Sequence, residues 1–140
     1  MDHQIQKLSN FLQNTNATTV FLRVGYEFDN PFFGYSDKPS SFIKAFQKVV
    51  QYLRKSLEPD ALLRTQFVWH SWAAPRSANL TLQDFYPGTE FVDWIGISVF
   101  QQVYPWSSNW GNGFVDWGGS EDDLQEVLEF AKQEDKVSRS

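Results

Sequence analysis

The chain has 140 residues, enough for one domain and too few for two, and its 17% aromatic content with six Trp excludes a disordered polymer. A net charge of −5 with no basic stripe excludes the electrostatic footprint of a nucleic-acid binder. The apolar runs are strand-sized, too short for a membrane-spanning helix, and the absence of cysteine rules out a disulfide framework while leaving the redox compartment open.

In chain order, Ile5, Leu8, Phe11 and Leu12 recur at helical spacing and predict a helix over residues 2–14, closed by Asn14-Thr15-Asn16. The start, MDHQIQKLSN, lacks the basic-then-apolar pattern of a signal peptide. The β-branched and aromatic run TVFLRV, residues 19–24, predicts a strand buried on both faces. A loop rich in Gly, Asn, Pro and aromatics follows over residues 25–38. Pro39-Ser40 then opens a helix to about Leu57, with Phe42, Ala45, Phe46, Val49, Val50 and Leu53 on its apolar face. TQFVW, residues 65–69, reads as a second strand, and a long irregular segment follows, with a short helix within residues 80–85. DWIGISVF, residues 93–100, reads as a third strand. The next loop carries Tyr104, Trp106, Trp110, Phe114 and Trp117, and Ser120 caps a final helix through Leu124, Val127, Leu128 and Ala131. Two glycosylation sequons, at Asn16 and Asn79, are near chance expectation and carry little weight.

Strands that are apolar on both faces and alternate with helices predict an α/β fold with a parallel sheet. An open nucleotide-binding sheet would show a glycine-rich phosphate loop after its first strand. Here that strand runs into Gly25-Tyr26-Glu27-Phe28-Asp29, so part of a (β/α)₈ barrel is the better reading. A closed barrel needs ~250 residues, or about 200 at the low end, so the expectation is a single incomplete domain over residues 1–140.

In such a barrel the active face is built by the loops after the strands' C-terminal ends. Glu27 and His70 fall there, whereas Asp93 starts its strand on the opposite, structural face. Strand alternation puts Arg23 on the same side as Glu27 but roughly 13 Å below it, too far for direct pairing. A carboxyl walled by Tyr26, Phe28, Phe32 and Phe33 would lose hydration, which favours the proton-carrying form that a general acid requires. Trp69, Trp72, Trp106 and Trp110 offer flat apolar faces of the kind sugar rings pack against. Each feature also has a plain structural reading: a solvated glutamate at a strand end, tryptophans forming loop core, a histidine bonded to a neighbouring carbonyl. Composition and position alone leave the two readings level. Two histidines and no cysteine give no paired-ligand spacing, so neither metal nor cofactor is expected.

The segments VFLRVGYEFDNPFFGY, AFQKVVQYLR, FVWHS and YPGTEFVDWIGISVF, in that order and spacing, resemble glycoside hydrolase family 26 and its relatives in the clan of retaining (β/α)₈ glycosidases. The resemblance spans residues 20–100 and implies a TIM barrel portion of approximately strands 4 to 6 with flanking helices. It makes Glu27 the acid/base of a double-displacement reaction on a β-linked polysaccharide of mannan or β-glucan type. It also implies sugar contacts from Phe32, Trp69, His70, Trp72, Tyr104 and Trp106. Family mannanases usually carry His where this chain has Tyr26, and Phe100 stands where a Tyr commonly follows strand six. The family's nucleophile comes from strand seven, which on this reading begins where the chain stops, so the remainder of the barrel is expected to be needed for stability and turnover. The resemblance also implies a secreted parent protein. The alternatives are a non-catalytic carbohydrate-binding relative and an inactive barrel fragment.

Overall fold

The computed structural model describes residues 2–72, 79–98, 121–136 and 138–139. In chain order they form α1 (Asp2–Asn14), β1 (Val20–Arg23), α2 (Pro39–Ser56), α3 (Pro59–Arg64), β2 (Thr65–Ser71), two 3-10 turns (Gln83–Phe85 and Thr89–Phe91), β3 (Trp94–Ile97), α4 (Glu121–Gln133) and β4 (Ser138–Arg139). All strand pairs are parallel and the spatial order is β1-β2-β3-β4. Each strand is laid beside its predecessor with no reversal of order, which is the progression of a β/α-barrel wall rather than of a doubly wound sheet.

The helices form where the apolar spacing demands it. Phe42, Phe46, Val50 and Leu53 are all buried along α2, and Pro39 occupies the first turn, where its missing N–H costs nothing. Ala45, expected on that face, is exposed. In α1 the buried stripe is Ile5, Ser9 and Leu12, and Phe11 points outward at 62% exposure. Its position, one residue short of Leu12, rotates it off the face that packs on α2. Helix α3 was not anticipated. Glu58-Pro59-Asp60 carries its start signal, a proline at the first helical position followed by an acid in the first turn.

Strand β2 is the spine of the sheet. Its alternation sends Phe67 and Trp69 to the helix-covered face and Val68 and His70 to the inner one. On that inner face Phe21 meets Trp94 edge to face at 6.0 Å, and the Trp94 indole N–H donates to Oε1 of Gln66 at 3.0 Å. Asp93 is structural, as expected: its backbone N–H donates to the Phe67 carbonyl at 2.9 Å while its Oδ2 accepts the Phe67 N–H at 2.8 Å. That two-way clasp sets the β2–β3 register at Val68 opposite Trp94.

Beyond the last helix, Ser138 and Arg139 enter β4, paired with Ile95 and Gly96, where the next strand was expected to begin. One expectation is corrected. Strand β1 is not buried on both faces, because it lies at the sheet edge with Phe21 44% exposed on its inner side.

The loop after β1 turns at once. Gly25 has φ +57°, and a Cβ there would lie 2.8 Å from Cε2 of Phe42. Gly25→Ala therefore combines a left-handed backbone with a clash against the buried face of α2. We expect a destabilisation of about 1–3 kcal/mol, measured as a lowered urea midpoint at unchanged m-value.

Candidate active site

The C-terminal ends of β1, β2 and β3 converge on Glu27. Beyond Arg23 the chain leaves the strand, and both Gly25 (φ +57°) and Glu27 (φ +53°) adopt left-handed backbone conformations. For glutamate that conformation costs about 1–3 kcal/mol and persists only where the surroundings impose it. Here Phe28 imposes it. Its ring is fully buried, stacked on Trp69 at 4.3 Å and packed against Phe85 and Phe42, while its N–H donates to the His70 carbonyl. With Phe28 driven into the core, Glu27 turns toward the inner face. Phe28 therefore does not wall the carboxylate, contrary to the expectation above.

Glu27 is itself buried, 8% exposed, and both carboxylate oxygens are engaged. Oε1 accepts the Ser98 hydroxyl at 2.6 Å and Oε2 accepts the Asn30 side-chain N–H at 3.0 Å. Asn30 is oriented in turn by the Phe32 backbone N–H, which donates to Oδ1 at 3.0 Å. This contact identifies which end of the amide faces Glu27. Ser98 also lies 2.9 Å from Nε2 of His70. The imidazole edge meets Tyr26 at 6.2 Å between ring centroids, and the Arg23 guanidinium sits 5.1 Å above the Tyr26 ring.

Burial, with the Arg23 charge added, lowers the His70 pKa from 6.5 to about 4 against the opposing pull of Glu27. The imidazole is thus neutral at physiological pH. The chain doubles back after Arg23, so its guanidinium lies over Tyr26 and its charge is felt at His70.

Asp29, two residues on, is almost completely buried and ties two strand ends together. Its Oδ2 accepts the Ser71 hydroxyl at 2.5 Å and its Oδ1 accepts the Trp72 backbone N–H at 2.6 Å. These short, charge-assisted bonds fix the start of the segment after β2. Trp72 then meets Phe32 edge-on at 6.3 Å, and Phe32 is 67% exposed. The pair forms an aromatic surface beside the carboxylate.

Of the residues expected at the site, Glu27, His70, Phe32 and Trp72 gather at this end of the sheet. Trp69 does not. It is fully buried on the opposite face of β2, with its indole N–H donating to the Phe85 carbonyl at 3.0 Å. Strand alternation forces this, since Trp69 and His70 are neighbours and cannot share a face. Tyr104 and Trp106 lie outside the described residues. Sequence reasoning missed Ser98 and Asn30. Only the β2–β3 register, His70 opposite Gly96, shows that Ser98 falls beside His70. Among the described residues no group of three His, Cys, Asp or Glu is placed to hold a metal ion, and no helix is long and apolar enough to cross a membrane.

Parallel strands whose C-terminal ends present a buried, doubly bonded carboxylate beside exposed aromatic rings define this chain as part of a β/α-barrel protein with a candidate site at the strand ends. The profile of glycosyl hydrolase family 26 matches residues 1–122, and the chain belongs to that family. It is 28% identical over 133 residues to the β-1,3-xylanase TXYA of a Vibrio species and equally to a β-1,3-xylanase of an Alcaligenes species; each match takes in 86% of this chain and 27% of the relative. The chain thus spans about a quarter of the length of these relatives. Among solved structures it is similar to a modular endo-β-1,4-mannanase from Cellulomonas fimi, with TM-score 0.65 and 18% identity, covering 97% of this chain and 30% of the other. A double mutant of Cellulomonas fimi endo-β-1,4-mannanase gives TM-score 0.63 and 19% identity, covering 97% and 30%. These similarities establish the fold as a partial (β/α)₈ barrel.

The lowered pKa of His70 has a consequence for stability. Between about 4 and 6.5 the unfolded chain binds this proton while the folded chain does not, so stability falls as pH drops through that window and recovers as it rises. Urea midpoints of wild type and His70→Gln, measured from pH 4 to 7, should converge toward the acid end and diverge toward pH 7.

Proposed function

We propose that this chain is the central part of a retaining glycoside hydrolase that cuts a β-linked polysaccharide, with Glu27 as its general acid/base. The observation that carries this reading is the state of Glu27. A buried glutamate is held in a strained backbone conformation, at the active end of a β/α barrel, by donors from its own loop and from beyond β3. Strain of this kind is retained where a side chain must be held in one place. Family membership and the names of the relatives support hydrolysis of a β-glycan.

In the reaction, Glu27 gives its proton to the glycosidic oxygen as the bond to the anomeric carbon breaks, while a second carboxylate attacks that carbon from the opposite side. Glu27 then takes a proton from the water that releases the glycosyl intermediate. The two carboxyls must lie ~5–5.5 Å apart for this double displacement. By resemblance to the family, the second carboxylate comes from the strand that follows β3 in the barrel wall. The Phe32–Trp72 surface supplies a stacking face for a sugar ring next to the scissile bond.

Tyr26, where family mannanases usually carry His, and the likeness to β-1,3-xylanases turn the substrate from mannan toward a xylan-type chain. Exposed Phe21 and the position of β1 at the sheet edge support completion of the sheet by the remaining strands of the barrel. Action on a polymer is consistent with secretion of the complete protein.

In the protein with its complete barrel, Glu27→Ala should lower turnover of a β-1,3-xylan or β-mannan by about 10²–10⁴-fold, the range of general acid–base catalysis. An aryl glycoside with a good leaving group should lose far less in its first step. First-step rates on both substrates, read as kcat/KM or as the burst of released aglycone, decide the matter; equal losses would remove Glu27 from the acid role.

A further inference from the structure

We propose that Ser98 is a positioning residue for Glu27, the middle member of a directional hydrogen-bond chain that runs from His70 through the serine hydroxyl to Oε1. The inference rests on Glu27 being the acid/base and adds the device that aims it.

The direction follows from counting hydrogens. Whenever Glu27 is ionised, as it is once it has given up its proton, its carboxylate can only accept, so the 2.6 Å contact to Oε1 then uses the single hydroxyl hydrogen of Ser98. The Ser98 oxygen is then an acceptor toward His70, 2.9 Å away, and the imidazole must carry its proton on Nε2. All three groups are buried.

Glycine at position 96 makes the chain possible. Gly96 lies opposite His70 across the β2–β3 ladder, and a Cβ there would come within 3.1 Å of Nδ1 and 3.2 Å of Cγ of the imidazole. Any side chain there would press on the ring and shift it by a few tenths of an ångström from the place where Nε2 meets Ser98. Tyr26 flanks the ring at its edge.

The two bonds to Glu27 are unequal, 2.6 Å to Oε1 and 3.0 Å to Oε2. The tighter donor commits Oε1 to accepting, so the proton that reaches the substrate travels on Oε2. Loss of the Ser98 hydroxyl frees the carboxylate to rotate, and a misplaced acid slows proton transfer without weakening substrate binding.

The experiment uses the protein with its complete barrel. Ring ¹⁵N spectra locate the His70 proton, with the His70 signals identified by their absence in His70→Gln; at pH 7 the proton is expected on Nε2. Ser98→Ala should lower kcat on the polysaccharide by about 10- to 100-fold with KM within about twofold, and Ser98→Thr, which keeps the hydroxyl, should restore most of the rate. A proton on Nδ1 in the wild type, wild-type kcat in Ser98→Ala, or a Ser98→Thr as slow as Ser98→Ala would each overturn the proposal. These outcomes are distinguishable from failure of the acid assignment. Equal losses on both substrates in Glu27→Ala would remove the acid role, yet leave the His70 tautomer and its dependence on Ser98 as measured.

Discussion

The Phe28 ring, stacked on Trp69 at 4.3 Å with an interplanar angle of 22°, is the contact from which the rest of the site is suspended. Aromatic pairing of this kind contributes about 0.5–1.5 kcal/mol beyond the burial of its surface, and Phe28 also packs against Phe42 and Phe85. That gain offsets the left-handed backbone at Glu27. It also sorts the neighbours of Phe28. Once this ring enters the layer between sheet and helix, Glu27 turns to the inner face, where Ser98 and Asn30 receive its carboxylate. Asp29 turns to the end of β2, where Ser71 and Trp72 meet it. A short loop thereby joins the ends of three strands.

Two buried carboxylates two residues apart divide the labour. Asp29 is structural: its two short bonds fasten the β1 loop to the exit of β2 and so set where Trp72 begins. Glu27 is held as firmly, but toward the inner face of the sheet. The hydrogen bonds that Asp29 accepts from the Ser71 hydroxyl and the Trp72 N–H are of the kind that lets a buried acid be tolerated. His70 contributes as a neutral ring. Burial and Arg23 keep the proton count on the imidazole at one, so it orients Ser98 rather than adding a charge beside Glu27.

Much of the fold was legible in the amino-acid order. The α2 stripe, the parallel strands and the location of Glu27 and His70 at strand ends all follow from periodicity and strand alternation. Even the structural role of Asp93 follows from its position at the start of a strand. The aromatic residues misled, because hydrophobic rings in a loop sequence carry no sign of which side they will bury. Trp69 and Phe28 read equally well as cleft walls or as core, and they stack on each other in the core. Helix α3 is too short for periodicity to register. The brief β4 gains its place only by pairing with Ile95 and Gly96.

By itself, the sequence determined the α/β character, the family, and glutamate as the residue to watch, because these depend on local pattern and on motifs in order. The tertiary structure alone decided what surrounds that glutamate. Ser98 lies 71 positions away along the chain and Asn30 three. Ser98 reaches Glu27 only because parallel pairing brings His70 level with Gly96. Register between strands is a property of the assembled sheet, set by clasps such as Asp93 on Phe67, and no local stretch of sequence contains it.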